Sequence, residues 1–176
     1  MDLEVLKFPI GHWKSKLVYR ESEVRDWIQD IAQLPEQLDE LLKDLQDKQL
    51  IFKYRPDGWT IRQVIHHIPD SHMNGYIRHK LTITQVEPTI NPYLESVWAT
   101  LEDVQTVPVT ASLQLLKNLH LRWSVFLKSL DPEEYTRIYI HPEHQRSISM
   151  QESIGMYSWH GRHHLAHIKN ALENPY

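Results

Sequence analysis

Ser149-Met150-Gln151-Glu152-Ser153-Ile154-Gly155-Met156-Tyr157-Ser158-Trp159-His160-Gly161-Arg162-His163-His164-Leu165-Ala166-His167 is the stretch on which the reading of this chain turns. Ser149 with Glu152 three residues on is a capping-box pattern, so a helix is expected to start here and to end near Leu172, before Pro175. On that helix His160, His163, His164 and His167 place four imidazoles within eight residues. His160 and His164 are one turn apart, with Cα atoms about 6 Å from each other. Their ring nitrogens can therefore converge on a metal at the roughly 2.0 to 2.1 Å that zinc needs. All four rings fall within about 100° of arc, so spacing alone does not choose the ligands. The rhythm Tyr157, His160, His164, Ile168, Ala171 defines an inward face and favours His160 with His164. His163 and His167 lie on a flank with Met156 and Trp159, in a supporting position or at an interface.

Upstream, Arg137 to His141 and Arg146 to Ser149, separated by Pro142-Glu143-His144-Gln145, can pair as a small hairpin. Leu113, Leu116, Leu119, His120, Trp123 and Leu127 form the apolar stripe of a helix over about 110–130. Pro88, Pro92 and Pro108 punctuate a connection with one short helical piece around Glu95 to Leu101. Thr60-Ile61-Arg62-Gln63 is another capping box and starts a helix at Ile61 that extends to about Glu87, with a kink expected at Pro69. Val24, Trp27, Ile28, Ile31, Leu34, Leu38, Leu41, Leu42 and Leu45 recur at steps of three and four, giving a helix or helix pair with a break or kink allowed at Pro35. Residues 1–20 read as an ordered or semi-ordered lead-in. Four long helices imply an all-α four-helix bundle, and 176 residues fit a single domain, 1–176.

Composition removes whole classes of function. With 19 Lys+Arg against 23 Asp+Glu there is no basic footprint for nucleic acid. No apolar run approaches the roughly 18 residues of a spanning helix, so no membrane role is expected. The N-terminus lacks a basic n-region and a long apolar h-region, which makes the cytoplasm the default location. The absence of cysteine excludes disulfides, thiolate ligands and a cysteine nucleophile, leaving His, Asp, Glu and water as metal ligands. The five glycines are too dispersed for a phosphate loop or a nucleophile elbow.

Two histidines do not complete an open metal site, which commonly has three protein ligands and an exchangeable water. The helix from Ile61 carries the candidates. His72 shares the apolar stripe of Ile61, Val64, Ile65, Ile68 and Tyr76; His67 shares a polar stripe with Ser71, Asn74 and Arg78; His66 shares a face with Asp70, Met73 and Ile77. Whether either polar stripe turns inward is open on spacing. His12, His79, His120, His141 and His144 read as ordinary surface or half-buried residues.

Trp59-Thr60-Ile61-Arg62-Gln63-Val64-Ile65-His66-His67 resembles the Trp-Ser/Thr entry motif of the DinB-like helical bundles, whose ligand histidine stands eight residues after the tryptophan, at His67 here. That family's His-x-x-x-His motif matches His160 to His164, and His167 stands where many members have glutamine. Phe8-Pro9-Ile10-Gly11, Asp70-Ser71-His72-Met73-Asn74, Asn91-Pro92-Tyr93, His141-Pro142-Glu143 and Tyr157-Ser158-Trp159-His160 resemble the YfiT branch, over nearly the whole chain. The resemblance implies a bundle of unusual connectivity, one divalent metal per chain (zinc or nickel) held by His67, His160 and His164, a homodimer, and metal-dependent hydrolysis of a small-molecule substrate. Relatives include bacillithiol S-transferases, so a metal-dependent thiol S-transferase is the alternative, and a non-catalytic metal-binding dimeric module a third reading. Three neutral imidazoles would leave the ion's full charge to lower the pKa of a bound water to about 7. The last-helix run lacks the adjacent glutamate of His-Glu-x-x-His proteases, so no motif names a general base; Asp70, Asp57, Glu143 and Glu95 are candidates, and Arg78 could bind an anionic group of the substrate.

Overall fold

The four long helices are α2 (Glu21–Leu42), α3 (Ile61–Thr84), α6 (Val109–Lys128) and α7 (Met150–Glu173), in a computed structural model that describes residues 2–143 and 145–176. Helix α2 packs on α6 and α7, and α3 packs on the same two. The order around the bundle is therefore α2, α6, α3, α7, and the successive pairs α2/α3 and α6/α7 face each other across diagonals. This is the unusual connectivity that the resemblance implied. Two apolar clusters fill the interior, one around Leu34, Leu38, Ile65 and Ile68, the other around Ile28, Trp123, Ile154 and Tyr157.

Capping sets the helix starts. The Thr60 hydroxyl accepts from the Gln63 amide at 3.2 Å while the Gln63 side chain accepts from the Thr60 amide at 3.0 Å. At α7 the Ser149 hydroxyl accepts from the Glu152 amide at 3.2 Å, but the Glu152 carboxylate turns to Arg146, 2.8 Å away. The second capping box is thus half made, because the charge-assisted pairing of the buried Glu152 carboxylate with the exposed Arg146 outcompetes the amide.

Of the two readings that Pro35 left open, one helix or a helix pair, the structure shows the single helix. Helix α2 runs through Pro35, and α3 runs through Pro69 to end at Thr84, short of Glu87. The lead-in contains a short helix, α1 (Leu3–Lys7), and the 85–108 connection holds two, α4 (Glu95–Trp98) and α5 (Glu102–Thr106). The hairpin is present as β1 (Ile138–His141) and β2 (Arg146–Ser149), in register Ile138 with Ser149. Arg137 ties it to the end of α3 by donating to the carbonyls of Thr82 and Gln85, both at 2.9 Å. Ile90, Tyr139 and Ile148 form a small core beneath it. Among the described residues no helix is long and apolar enough to cross a membrane.

Candidate metal centre

His67 on α3 and His160 and His164 on the neighbouring α7 each offer a ring nitrogen, and the three atoms lie within 4.8 Å of one another. His160 Nε2 is 3.2 Å from His67 Nε2 and 3.2 Å from His164 Nε2. Two nitrogens about 2.0 to 2.1 Å from one tetrahedral ion stand about 3.3 Å apart. Burial holds the His67 pKa down at about 4 and those of His160 and His164 well below the usual imidazole range. All three rings are therefore neutral near pH 7, as metal ligands must be.

Which nitrogens carry protons follows from hydrogen bonds that end on backbone carbonyls. Pro35 has no N–H, so the carbonyl of Ile31, four residues back in α2, has no partner in the helix. His120 Nδ1 reaches that oxygen at 2.5 Å. A carbonyl only accepts, so Nδ1 carries the proton, and Nε2 of the neutral ring is an acceptor. His72 Nδ1 lies 2.9 Å from His120 Nε2, and His72 Nε2 lies 2.9 Å from His160 Nδ1. Burial keeps His120 and His72 neutral as well. The proton positions therefore propagate: His72 donates to His120 from Nδ1, and His160 donates to His72 from Nδ1. His160 Nε2 is left as a bare lone pair.

A second chain starts at α1. The Lys7 carbonyl, in the last turn of that helix, accepts from His167 Nε2 at 3.0 Å. His167, held neutral by burial, has Nδ1 free to accept from His164 Nδ1 at 3.4 Å, which leaves His164 Nε2 bare too. Two unprotonated nitrogens thus face each other at 3.2 Å with no proton to share. That arrangement is repulsive unless a cation lies between them, so the residues fit a divalent ion.

The remaining histidines separate cleanly. His163 stacks on Trp159, centroids 4.4 Å apart, beside the cluster. His66 points away and bonds Ser112 on α6 at 2.8 Å. His79 is wholly buried between the Trp123 indole, 3.0 Å away, and the Ser153 hydroxyl, 2.9 Å away. His12 is exposed against Glu4, His141 is buried at the end of β1, and His144 lies outside the described residues. His79, His120 and His141 are therefore buried residues rather than ordinary surface or half-buried ones. Sequence reading missed the part played by His120 and His72; the available signals were a histidine inside each apolar stripe and a proline inside a helix.

Two cavities meet at the triad. A cleft of about 330 Å³ is walled by Phe8, Tyr54, Trp59 and Trp159 and floored by His67, His160, His163, His164 and His167. A chamber of about 260 Å³ lies on the other side of His160, beneath the hairpin, lined by Ser71, Arg78, Tyr93, Tyr139 and Tyr157 among others. Glu95 lines both. Of the proposed acids it alone borders either cavity, and crowding by protein atoms raises its pKa, an effect that Arg78 partly offsets. On the polar stripe of α3, His67, Ser71 and Arg78 face the cavities while Asn74 turns back to the Asp70 carbonyl at 2.9 Å.

Residues 30–168 match the DinB superfamily. The chain belongs to the DinB superfamily. A relative from Bacillus cereus (strain 03BB102) is 48% identical over 93% of both chains, and one from Bacillus thuringiensis subsp. konkukian (strain 97-27) matches equally; both carry the name "Putative metal-dependent hydrolase". The solved structure of YfiT from Bacillus subtilis, described as "a probable metal-dependent hydrolase with an unusual four-helix bundle topology", superposes with a TM-score of 0.93 at 39% identity, covering 96% of this chain and 97% of that one. The mycothiol-dependent maleylpyruvate isomerase shares the fold at 14% identity and a TM-score of 0.63, over 82% of this chain and 60% of its own.

Proposed function

We propose that this DinB member is a metal-dependent hydrolase of a small-molecule substrate, with one divalent ion held by His67, His160 and His164. The supporting observation is the pair of bare Nε2 atoms of His160 and His164, facing each other with His67 alongside. A divalent ion on three neutral imidazoles supplies Lewis acidity and brings the pKa of a water toward 7. The protein does the rest. His72 and His167 hold the two α7 imidazoles in the ligating tautomer, as outer partners of metal ligands commonly do. Phe8, Tyr54, Trp59 and Trp159 wall the cleft with apolar surface and restrict the water that reaches the reacting group. Glu95, at the junction of the two cavities and more basic than an ordinary glutamate, is placed to take the proton that hydrolysis releases.

The test is turnover of a panel of simple esters and amides by untagged protein. Chelation and His67→Ala should each abolish it, and His67→Ala should also lower the metal content from one ion per chain. Glu95→Gln should keep the metal and lose about 100-fold in kcat. Turnover that required added thiol would replace hydrolysis with S-transfer, and full metal content in His67→Ala would overturn the ligand set.

A further inference from the structure

We infer that the chamber behind His160 is an oxyanion subsite that takes a carboxylate group of a small molecule, with Arg78 as its anchor and Trp13 as a second donor. Arg78 is 9% exposed and permanently charged, yet among the described residues no carboxylate comes within ion-pair distance of it. Its Nη1 donates to the Tyr157 hydroxyl at 3.3 Å, and its buried Nε has no hydrogen bond among the described residues. The indole N–H of Trp13, from the lead-in, is likewise buried without an acceptor and lines the same chamber. Both groups only donate. The Tyr157 oxygen accepts from Arg78 and keeps its own proton, because burial raises the phenol's pKa, so it adds a donor rather than a countercharge.

The acids of the chamber do not fill this role. Glu152 is spent on Arg146 at 2.8 Å, and Glu95 sits where chamber and cleft meet. Buried donors ordinarily have acceptors, so a walled space holding an unmatched guanidinium edge and an unmatched indole N–H is shaped for an anion. The free Nε edge of a guanidinium presents two parallel N–H groups to a planar carboxylate. A volume of about 260 Å³, below the roughly 300 Å³ lower end of ordinary ligand sites, restricts the guest to a short-chain or single-ring acid. His160 borders the chamber, so a carboxylate seated there would leave the rest of the molecule beside the triad. Calling the guest a substrate rests on the hydrolase reading; its binding does not.

Benzoate, its neutral isostere benzamide and inorganic phosphate serve as probes, with affinities from ligand-observed NMR and the Trp13 indole cross-peak as a local reporter. Benzoate should move that cross-peak saturably and bind at least 10-fold more tightly than benzamide. It should do so both in the protein as purified and after the metal has been stripped by chelation. Arg78→Met should weaken benzoate at least 10-fold and leave benzamide unchanged. Trp13→Phe, which keeps an aromatic side chain while removing the indole N–H, should weaken benzoate several-fold and leave benzamide unchanged, and it decides the matter if Arg78→Met does not fold. Equal binding of benzoate and benzamide, loss of benzoate binding on chelation, or stronger binding of phosphate than of benzoate would each overturn the assignment. Absence of esterase activity would count against the hydrolase reading alone.

Discussion

His72 shows how much a single side chain can do without touching the proposed ion. It lies wholly buried beside Trp123 and Tyr157, accepts from His160 and donates to His120. His72→Leu removes the acceptor for His160 Nδ1–H, so the His160 ring is free to move its proton to Nε2 and block the ligand atom. Zinc affinity should fall about 10- to 100-fold. His72→Gln restores an acceptor towards His160 and a donor towards His120, and should recover most of that loss. Calorimetric titration of zinc into the metal-free proteins measures the difference, and ¹⁵N shifts of His160 report the tautomer directly. Equal affinity in wild type and His72→Leu would show that the histidine chain does not set the ligand state.

Pro35 extends the same argument to α2. A proline in a helix interior costs about 3 kcal/mol relative to alanine, so Pro35→Ala would ordinarily stabilise the protein. Here the new N–H competes with His120 for the Ile31 carbonyl. The expected outcome is a gain below about 1 kcal/mol in thermal or urea denaturation, accompanied by weaker zinc binding. A full propensity gain with unchanged zinc affinity would contradict the role assigned to that carbonyl. On α3, Gly75 has a different function. A Cβ there would lie 2.5 Å from the Tyr157 ring and 2.9 Å from Trp123. Gly75→Ala should therefore cost about 1 to 3 kcal/mol, and by displacing Tyr157 it should also disturb Arg78, which denaturation midpoints and benzoate titration can follow together. The capping boxes, the apolar steps of three and four and the hairpin turn placed these elements to within a few residues. The uninterrupted α2 was less legible, because Pro35 allowed a break or kink by local rules and only packing on both sides keeps the helix intact.

Burying neutral histidines makes the fold as a whole sensitive to acid. Burial lowers the pKa of His79 to about 3 and that of His120 to about 4, and both lie in the core away from the proposed ligand atoms. Unfolded, each titrates near 6.5. A depressed folded pKa means that the unfolded chain binds more protons below pH 6.5, so stability is complete above that value and declines as pH falls towards 4. Each such histidine contributes a slope of about 1.4 kcal/mol per pH unit. Half-buried Asp70, raised to about 6, opposes part of this decline. Urea midpoints of the metal-free protein should fall steeply between pH 6.5 and 4.5, and His79→Gln should flatten the slope; a flat profile in the wild type would mean that the core admits the charged rings.

The chain's local patterns were sufficient for the helical class, the hairpin and the pairing of His160 with His164, because caps and periodicity act over a few residues. Choosing His67 needed a motif resemblance, since spacing left His66, His67 and His72 open. The tertiary structure alone decided which nitrogens are bare, that Glu95 rather than Asp57, Asp70 or Glu143 borders the cavities, and that Trp13 and Arg78 share a chamber. Each of these depends on groups far apart in the chain, such as the 89 residues between Ile31 and His120. Proton positions and cavity linings are properties of contacts between segments, and such contacts leave no periodic trace along a single one.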